Sequence, residues 1–244
     1  MMKKILIKGT LSLILLGAIA ISGFQLYQIY DNYAAEAEIH EKVLAYKPTQ
    51  PPTEQETDAP YVNQNILDLQ AINADVVGWL TIGNTEIDYP FVWCKDNNFY
   101  LRRNINKEYA EAGTVFMDYR CERDFSLPNT ILYGHHVKND SMFGTLKNFD
   151  SKAFFDANQT GKIFLTDRVL ELEIIAFMNV KSRDKEVYKT EFGENDKAVF
   201  FEYIKENAKH YRETEFSETD MFVTLSTCSY ESANARMVIV AKAQ

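Results

Sequence analysis

The sequence predicts a mainly β domain, a closed or nearly closed barrel of eight strands, carried behind an apolar N-terminal segment and a polar spacer. Three observations carry that reading. Beyond Val77 the apolar residues come in short, β-branched and aromatic runs with turn residues between them. The stretch "KPTQPPTEQETDAP" holds four of the six prolines and almost no large apolar residue. Ahead of both lies a charge-free stretch from Gly9 to Tyr30.

Composition narrows the function. A chain of 244 residues with 46% apolar and 25% charged residues has enough material for one sizeable core. A net charge of -9, with no long Lys/Arg cluster beyond the N-terminus, argues against a nucleic-acid partner, because phosphate binding needs a basic face. The cysteines Cys94, Cys121 and Cys228 are odd in number and lack a C-x-x-C pair, so neither a disulfide framework nor a structural metal site is the economical reading. At least one thiol should be free.

Lys3, Lys4 and Lys8 precede the charge-free stretch, which is long enough to cross a bilayer. A cleaved signal peptide is the alternative, but the small-x-small site Ala35-Glu36-Ala37 lies more than ten residues past Phe24, where the strongly apolar part ends. With Asp31, Glu36 and Glu38 following the span, the positive-inside rule puts the N-terminus inside and everything after about residue 31 outside. The expected organisation is therefore a cytoplasmic tail and single-pass anchor over 1–30, a helical then Pro-rich extracellular spacer over 31–62, and a folded domain over 63–244. Residues 31–46 favour a helix, and the proline-rich segment after them reads as a semi-extended spacer.

From Asn63, the spacing of Ile66, Leu69, Ile72 and Val76 predicts an amphipathic helix laid against the domain. The strands expected after it are "VVGWLTI", "IDYPFV", "GTVFMDY", "NTILYGH", "KIFLT", "VLELEIIAFMNV", "MFVTLST" and "MVIVAK". Helices are expected in "DSKAFFDAN" and in "ENDKAVFFEYIKENAKHY", the latter with adjoining stripes of Val199, Tyr203 and Ala208 and of Phe200, Ile204 and Asn207.

Among four histidines, His40, His135, His136 and His210, the adjacent pair stands apart because it ends a strand and opens a polar loop, where side chains carry function. Strand alternation lets one of the two face a common partner. Cys228 has Leu225-Ser226-Thr227 before it and Ser229-Tyr230-Glu231 after it, so it sits where a strand gives way to a polar loop rather than inside a core. Arg236 opens the next strand. A cysteine, a histidine and an arginine at three strand ends make a nucleophile, a general acid/base and an oxyanion donor, if the fold brings them together.

The segments "TLSTC" and "NARMVIV", with "ILYGHHVKNDSMFGTLKNF" upstream, resemble a sortase, the cysteine transpeptidases of Gram-positive cell surfaces. "ADVVGWLTIGNTEIDYPFVWCKDNNFYL", "GTVFMDYR" and a long helix from about Asn195 to Tyr211 are similar to class B members, over roughly residues 63–244. The G-H order of the family assigns the acid to His135, with His136 standing where class B members often carry Asn.

The resemblance implies an eight-stranded barrel with no cofactor or catalytic metal. Cys228 would attack the Thr carbonyl of an N-P-Q/K-T-x-like signal near the C-terminus of a surface protein, forming a thioester. His135 would protonate the leaving amine, Arg236 would steady the oxyanion, and a peptidoglycan amine would resolve the intermediate. Asn97, Leu101 and Ser226 are implied as substrate contacts. A pilin-polymerising sortase and a non-catalytic wall-binding module are the alternatives.

Overall fold

The computed structural model describes residues 2–49, 61–136, 141–228 and 235–244. Most of the proline-rich spacer, and the loops directly after His136 and Cys228, lie outside the described residues. The chain divides into two compact units, one ending at Ala45 and one spanning Tyr46–Gln244.

In the first unit a single helix, α1 (Met2–Leu44), runs through both the apolar segment and the helix expected after it. Its stretch Ser12–Asp31, of mean hydropathy 1.6 and wholly exposed, is long and apolar enough to cross a membrane.

In the second unit α2 (Gln64–Ile72) is capped by Asn63, whose side chain accepts from the Ile66 N–H. Ile66 and Leu69 are fully buried, but Ile72 is 50% exposed. The expected stripe breaks there because the helix ends on Asn73, and Val76 already opens β1 (Val76–Ile82).

The other strands are β2 (Asp88–Trp93), β3 (Val115–Met117), β4 (Asn129–His135), β5 (Thr160–Phe164), β6 (Val169–Lys181), β7 (His210–Tyr211), β8 (Met221–Cys228) and β9 (Ala235–Ala243). The sheet runs β5-β1-β2-β3-β4-β8-β9-β6-β7, and β5 also pairs with β6. That extra pairing closes eight strands into a barrel and leaves the two-residue β7 as an appendage on β6. Closure removes the exposed sheet edges that invite aggregation. The eight runs expected from sequence are these eight strands, shifted by a residue or two at their ends.

The barrel interior is filled by large side chains, among them Leu80, Phe91, Phe143 and Phe177, all fully buried. Outside it pack α3 (Lys152–Ala157), preceded by a 3₁₀ turn over Gly144–Asp150, and α4 (Asp196–Asn207).

The helix expected to continue to Tyr211 stops at Asn207. Lys209 N–H donates to the Phe177 carbonyl at 2.9 Å and Arg212 N–H to the Ile175 carbonyl at 2.8 Å, while the His210 ring stacks 6.3 Å from that of Phe177. Pairing with β6 thus satisfies backbone groups that another helical turn would have satisfied locally. The buried face of α4 is Phe200, Phe201 and Ile204, whereas Val199 of the other expected stripe is 56% exposed. Phe200 and Phe201 lie against Phe222 of β8, so α4 braces the outside of that strand.

β4 and β8 are parallel neighbours. On their outer face Asn129 is fully buried and works in three directions. Its amide donates to the carbonyls of Val187 at 3.2 Å and Lys189 at 2.8 Å, and its carbonyl accepts from the Thr224 hydroxyl at 2.8 Å. It therefore pins the loop between β6 and α4 to the barrel. Removing it strands buried polar partners, so Asn129→Ala is expected to destabilise the domain by about 2–4 kcal/mol. A calorimetric melting temperature lower by about 5–10 °C would register that loss, and an unchanged one would contradict it.

Candidate active site

The parallel register of β4 and β8 runs from Asn129 beside Phe222 to His135 beside Cys228. Successive strand residues alternate between faces. Asn129, Ile131, Tyr133 and His135 therefore share the outer face with positions 222, 224, 226 and 228. Two residues 93 apart in sequence (228 minus 135) become direct neighbours at the strand ends.

Gly134 is the reason this end of β4 is a glycine followed by the histidine. A Cβ there would lie 2.6 Å from the ring of the fully buried Phe143, which packs flat on the glycine. The Phe143 N–H donates to the His135 carbonyl at 2.9 Å, so the returning chain fastens the histidine backbone. His136 pairs across the loop with Met142, on the opposite side of the alternation.

The His135 ring is held by a backbone group. Its Nε2 lies 2.7 Å from the Leu101 carbonyl oxygen, which can only accept, so Nε2 carries the hydrogen and Nδ1 is left to exchange a proton. Burial pushes the His135 pKa below its ordinary value of 6.5, opposed by the Leu101 carbonyl and the charge of Glu111, and reinforced by Arg102 and Arg236. The sign follows directly: above the lowered pKa the ring is neutral, and the protonated form needed for donation grows as pH falls. If His135 is the acid, activity is lost as pH rises through its pKa, so the alkaline limb of the kcat/KM profile should have its midpoint below pH 6.5. A limb at or above that value would contradict the burial.

β8 and β9 pair antiparallel up to Ser226 beside Val238, and there the ladder ends. Beyond it the Thr227 hydroxyl takes over, accepting from the Met237 N–H at 3.1 Å. That stitch keeps Arg236 alongside, and its Nη1 donates to the Thr227 carbonyl at 3.1 Å. The arginine is thus fixed one residue from Cys228 through the backbone.

Arg236, Asn97 and Leu101 line one cleft of about 220 Å³, together with Asn98, Phe116, Tyr133, Ser182 and Tyr188. Ser226 lies beneath it, fully buried, its hydroxyl 2.9 Å from that of Tyr188. Asn97 turns its carbonyl to the Tyr119 N–H at 3.0 Å. The cleft continues past Tyr133 and Tyr188 into a wider polar hollow of about 640 Å³ that includes Arg120 and Arg183. Under Tyr133 sits Asp118, fully buried, accepting from Tyr133 at 3.0 Å and from both Nε and Nη2 of Arg120 at 2.9 and 2.7 Å. Burial pushes the Asp118 pKa up, but the Arg120 bonds prevail and hold it below the ordinary carboxylate range. Among the described residues no group of three His, Cys, Asp or Glu side chains is arranged to hold a metal ion.

Sequence reasoning missed Tyr133, Ser182 and Tyr188. Tyr133 was within reach, since it precedes His135 by two residues on a strand and so shares its face. Ser182 and Tyr188 lie in the irregular loop after β6, which carries no periodic signal.

A closed eight-stranded barrel whose cleft opens at the ends of two parallel strands, one ending in histidine and the other in cysteine, defines a single-barrel protein with a strand-end site. A family model described as the sortase domain matches residues 80–244, more than half of the chain. Sortase B of Listeria monocytogenes is 34% identical over 237 residues, covering 96% of this chain and 95% of the relative. Sortase B of Staphylococcus aureus is 29% identical over 234 residues, covering 94% and 93%. A crystal structure of sortase B from Bacillus anthracis superposes with a TM-score of 0.75 at 33% identity, covering 88% of this chain and 98% of that one. A Staphylococcus aureus sortase B–substrate complex gives 0.71 at 29% identity, covering 75% and 86%. The chain belongs to the sortase family of transpeptidases, and the relatives it matches are sortases of class B.

Proposed function

We propose that the protein is a membrane-tethered cysteine transpeptidase that cleaves an N-P-Q/K-T-x-like sorting signal and joins the Thr carboxyl to a peptidoglycan amine. The observation that carries this reading is the register of β4 on β8, which sets His135 beside Cys228, with Arg236 tied to the carbonyl of the residue before it.

In this reading the Cys228 thiolate adds to the Thr carbonyl, and the resulting oxyanion is met by the Arg236 guanidinium. Collapse of the tetrahedral species expels the amine, which takes its proton from His135, leaving a thioester on Cys228. The acceptor amine then adds to the thioester, gives up a proton to His135, and releases the thiolate with a new amide bond. Atoms and charges return to the starting state, so the enzyme turns over. The cleft lined by Asn97, Leu101, Tyr133, Ser182 and Tyr188 would seat the residues preceding the scissile bond, and the polar hollow beyond it the polypeptide upstream. Mixing the protein with a sorting-signal peptide and a glycine-based amine, and following the ligated product by chromatography, tests this. Absence of both cleavage and ligation across Q and K signals would refute it.

The stretch Ser12–Asp31, preceded by lysines, would anchor the chain with the barrel outside the cell. Because the barrel unit begins only at Tyr46, deletion of residues 1–30 is expected to yield a detergent-free, monomeric and active domain. Size-exclusion chromatography with a peptide assay decides it. Aggregation, or folding only when the span is kept, would place the domain boundary elsewhere.

A further inference from the structure

We infer that the segment Tyr109–Thr114 is a positioning brace for His135, acting through the Leu101 carbonyl rather than through the substrate. This rests on the reading of His135 as the proton donor and acceptor. The Leu101 carbonyl is the group that takes the Nε2 hydrogen of His135, yet it belongs to a short 3₁₀ turn, Phe99–Arg102, in the connection between β2 and β3, where a peptide plane has no strand ladder to hold it. The residues around it supply the missing constraint.

Residues 100–103 and 109–114 run beside each other. Ala110 N–H donates to the Arg102 carbonyl at 3.1 Å and Thr114 N–H to the Tyr100 carbonyl at 3.1 Å. The Thr114 hydroxyl donates to the Arg103 carbonyl at 2.8 Å. Between them Gly113 holds φ at +64° and presses on the peptide that matters: a Cβ at that position would lie 2.6 Å from the Leu101 oxygen and 2.5 Å from the Tyr100 oxygen. A glycine is required twice over, by the left-handed backbone and by the space.

A side-chain tie closes the brace at the surface. Arg102 donates to both the backbone carbonyl and the carboxylate of Glu111, and the Tyr109 hydroxyl donates to the other Glu111 oxygen at 2.6 Å. The residue adjacent to Leu101 is thereby clamped across the loop. These contacts fix where the acceptor for Nε2–H sits, and so which tautomer the ring adopts and which nitrogen remains for proton transfer. A displacement of about 1 Å in such a group is enough to cost up to about a hundredfold in rate.

The test uses Gly113→Ala and Arg102→Gln in the folded domain, with two readouts. Long-range ¹H–¹⁵N spectra report the His135 tautomer without substrate, and peptide cleavage gives kcat and KM. Wild type should show the Nε2–H form. Gly113→Ala should lose that signature and at least about tenfold in kcat, with KM within about twofold. Arg102→Gln, on the exposed side of the brace, should shift the tautomer populations and lower kcat by about threefold or more. If Gly113→Ala does not fold, Arg102→Gln alone decides. A folded variant with the wild-type tautomer and kcat within twofold of wild type would overturn the brace. An inactive wild type would instead overturn the transpeptidase reading, and the tautomer spectra would still judge the brace.

Discussion

Cys228→Ala is expected to abolish both cleavage and ligation of a sorting-signal peptide, while Cys94→Ala and Cys121→Ala keep most of the activity. The nucleophile must be a thiolate. Cys121 is 1% exposed, and burial, only partly offset by the Ile131 N–H at its sulfur, pushes its pKa up to about 12. Cys94 donates to the Asp96 carbonyl at 3.1 Å, and burial raises its pKa too. Burial disfavours the thiolate at both, and neither lies on the face of β4 and β8 that carries His135. Losing an activated nucleophile costs about 10⁶-fold in a well-studied protease triad, which puts Cys228→Ala below the detection limit of a peptide assay. Near wild-type cleavage by that variant, with an intact melting transition, would remove the enzyme reading altogether.

The second large effect belongs to Arg236. Its Nη1 is engaged by the Thr227 carbonyl, so the remaining N–H groups of the planar guanidinium project from a fixed base along the wall of the cleft. A guanidinium can hold that anchor and still direct a donor at a developing oxyanion. A lysine has one nitrogen for both tasks, on a more flexible stem. Arg236→Lys is therefore expected to lower kcat by roughly a hundredfold or more, the range for losing an oxyanion donor, with little change in melting temperature. Thioester formation should slow in parallel, because the tetrahedral species precedes it. A lysine variant retaining half of wild-type turnover would reduce Arg236 to a positioning charge and leave the oxyanion to backbone N–H groups.

Much of the fold was legible because the strands obey local rules. Each of the eight expected runs is apolar, β-branched or aromatic, and each is a barrel strand. The appended strand His210–Tyr211 was not legible, since two residues carry no periodicity and their pairing depends on where β6 lies. The end of α4 was misplaced for the same reason. The pairing of β4 with β8 is a long-range choice that nothing within either strand dictates. The motif at Cys228 and the glycine before His135 pointed to the site's members through resemblance to a family, but the parallel register that makes them neighbours came from topology. The Leu101 carbonyl lay further still from sequence reasoning, because any residue can supply a carbonyl and only the fold decides which one meets the imidazole. Leu101 itself was expected as a substrate contact, and its side lines the cleft while its backbone holds His135.

Intact-protein mass spectrometry of the domain mixed with an N-P-Q/K-T-x peptide is the most direct test of cysteine transpeptidation. Before amine is added, the protein should gain the mass of the peptide up to its Thr, as a hydroxylamine-labile adduct that peptide mapping places on Cys228. Adding a glycine-based amine should discharge it with formation of the Thr–amine amide. An adduct on Cys94 or Cys121, or cleavage that proceeds with no covalent intermediate at all, would contradict the mechanism.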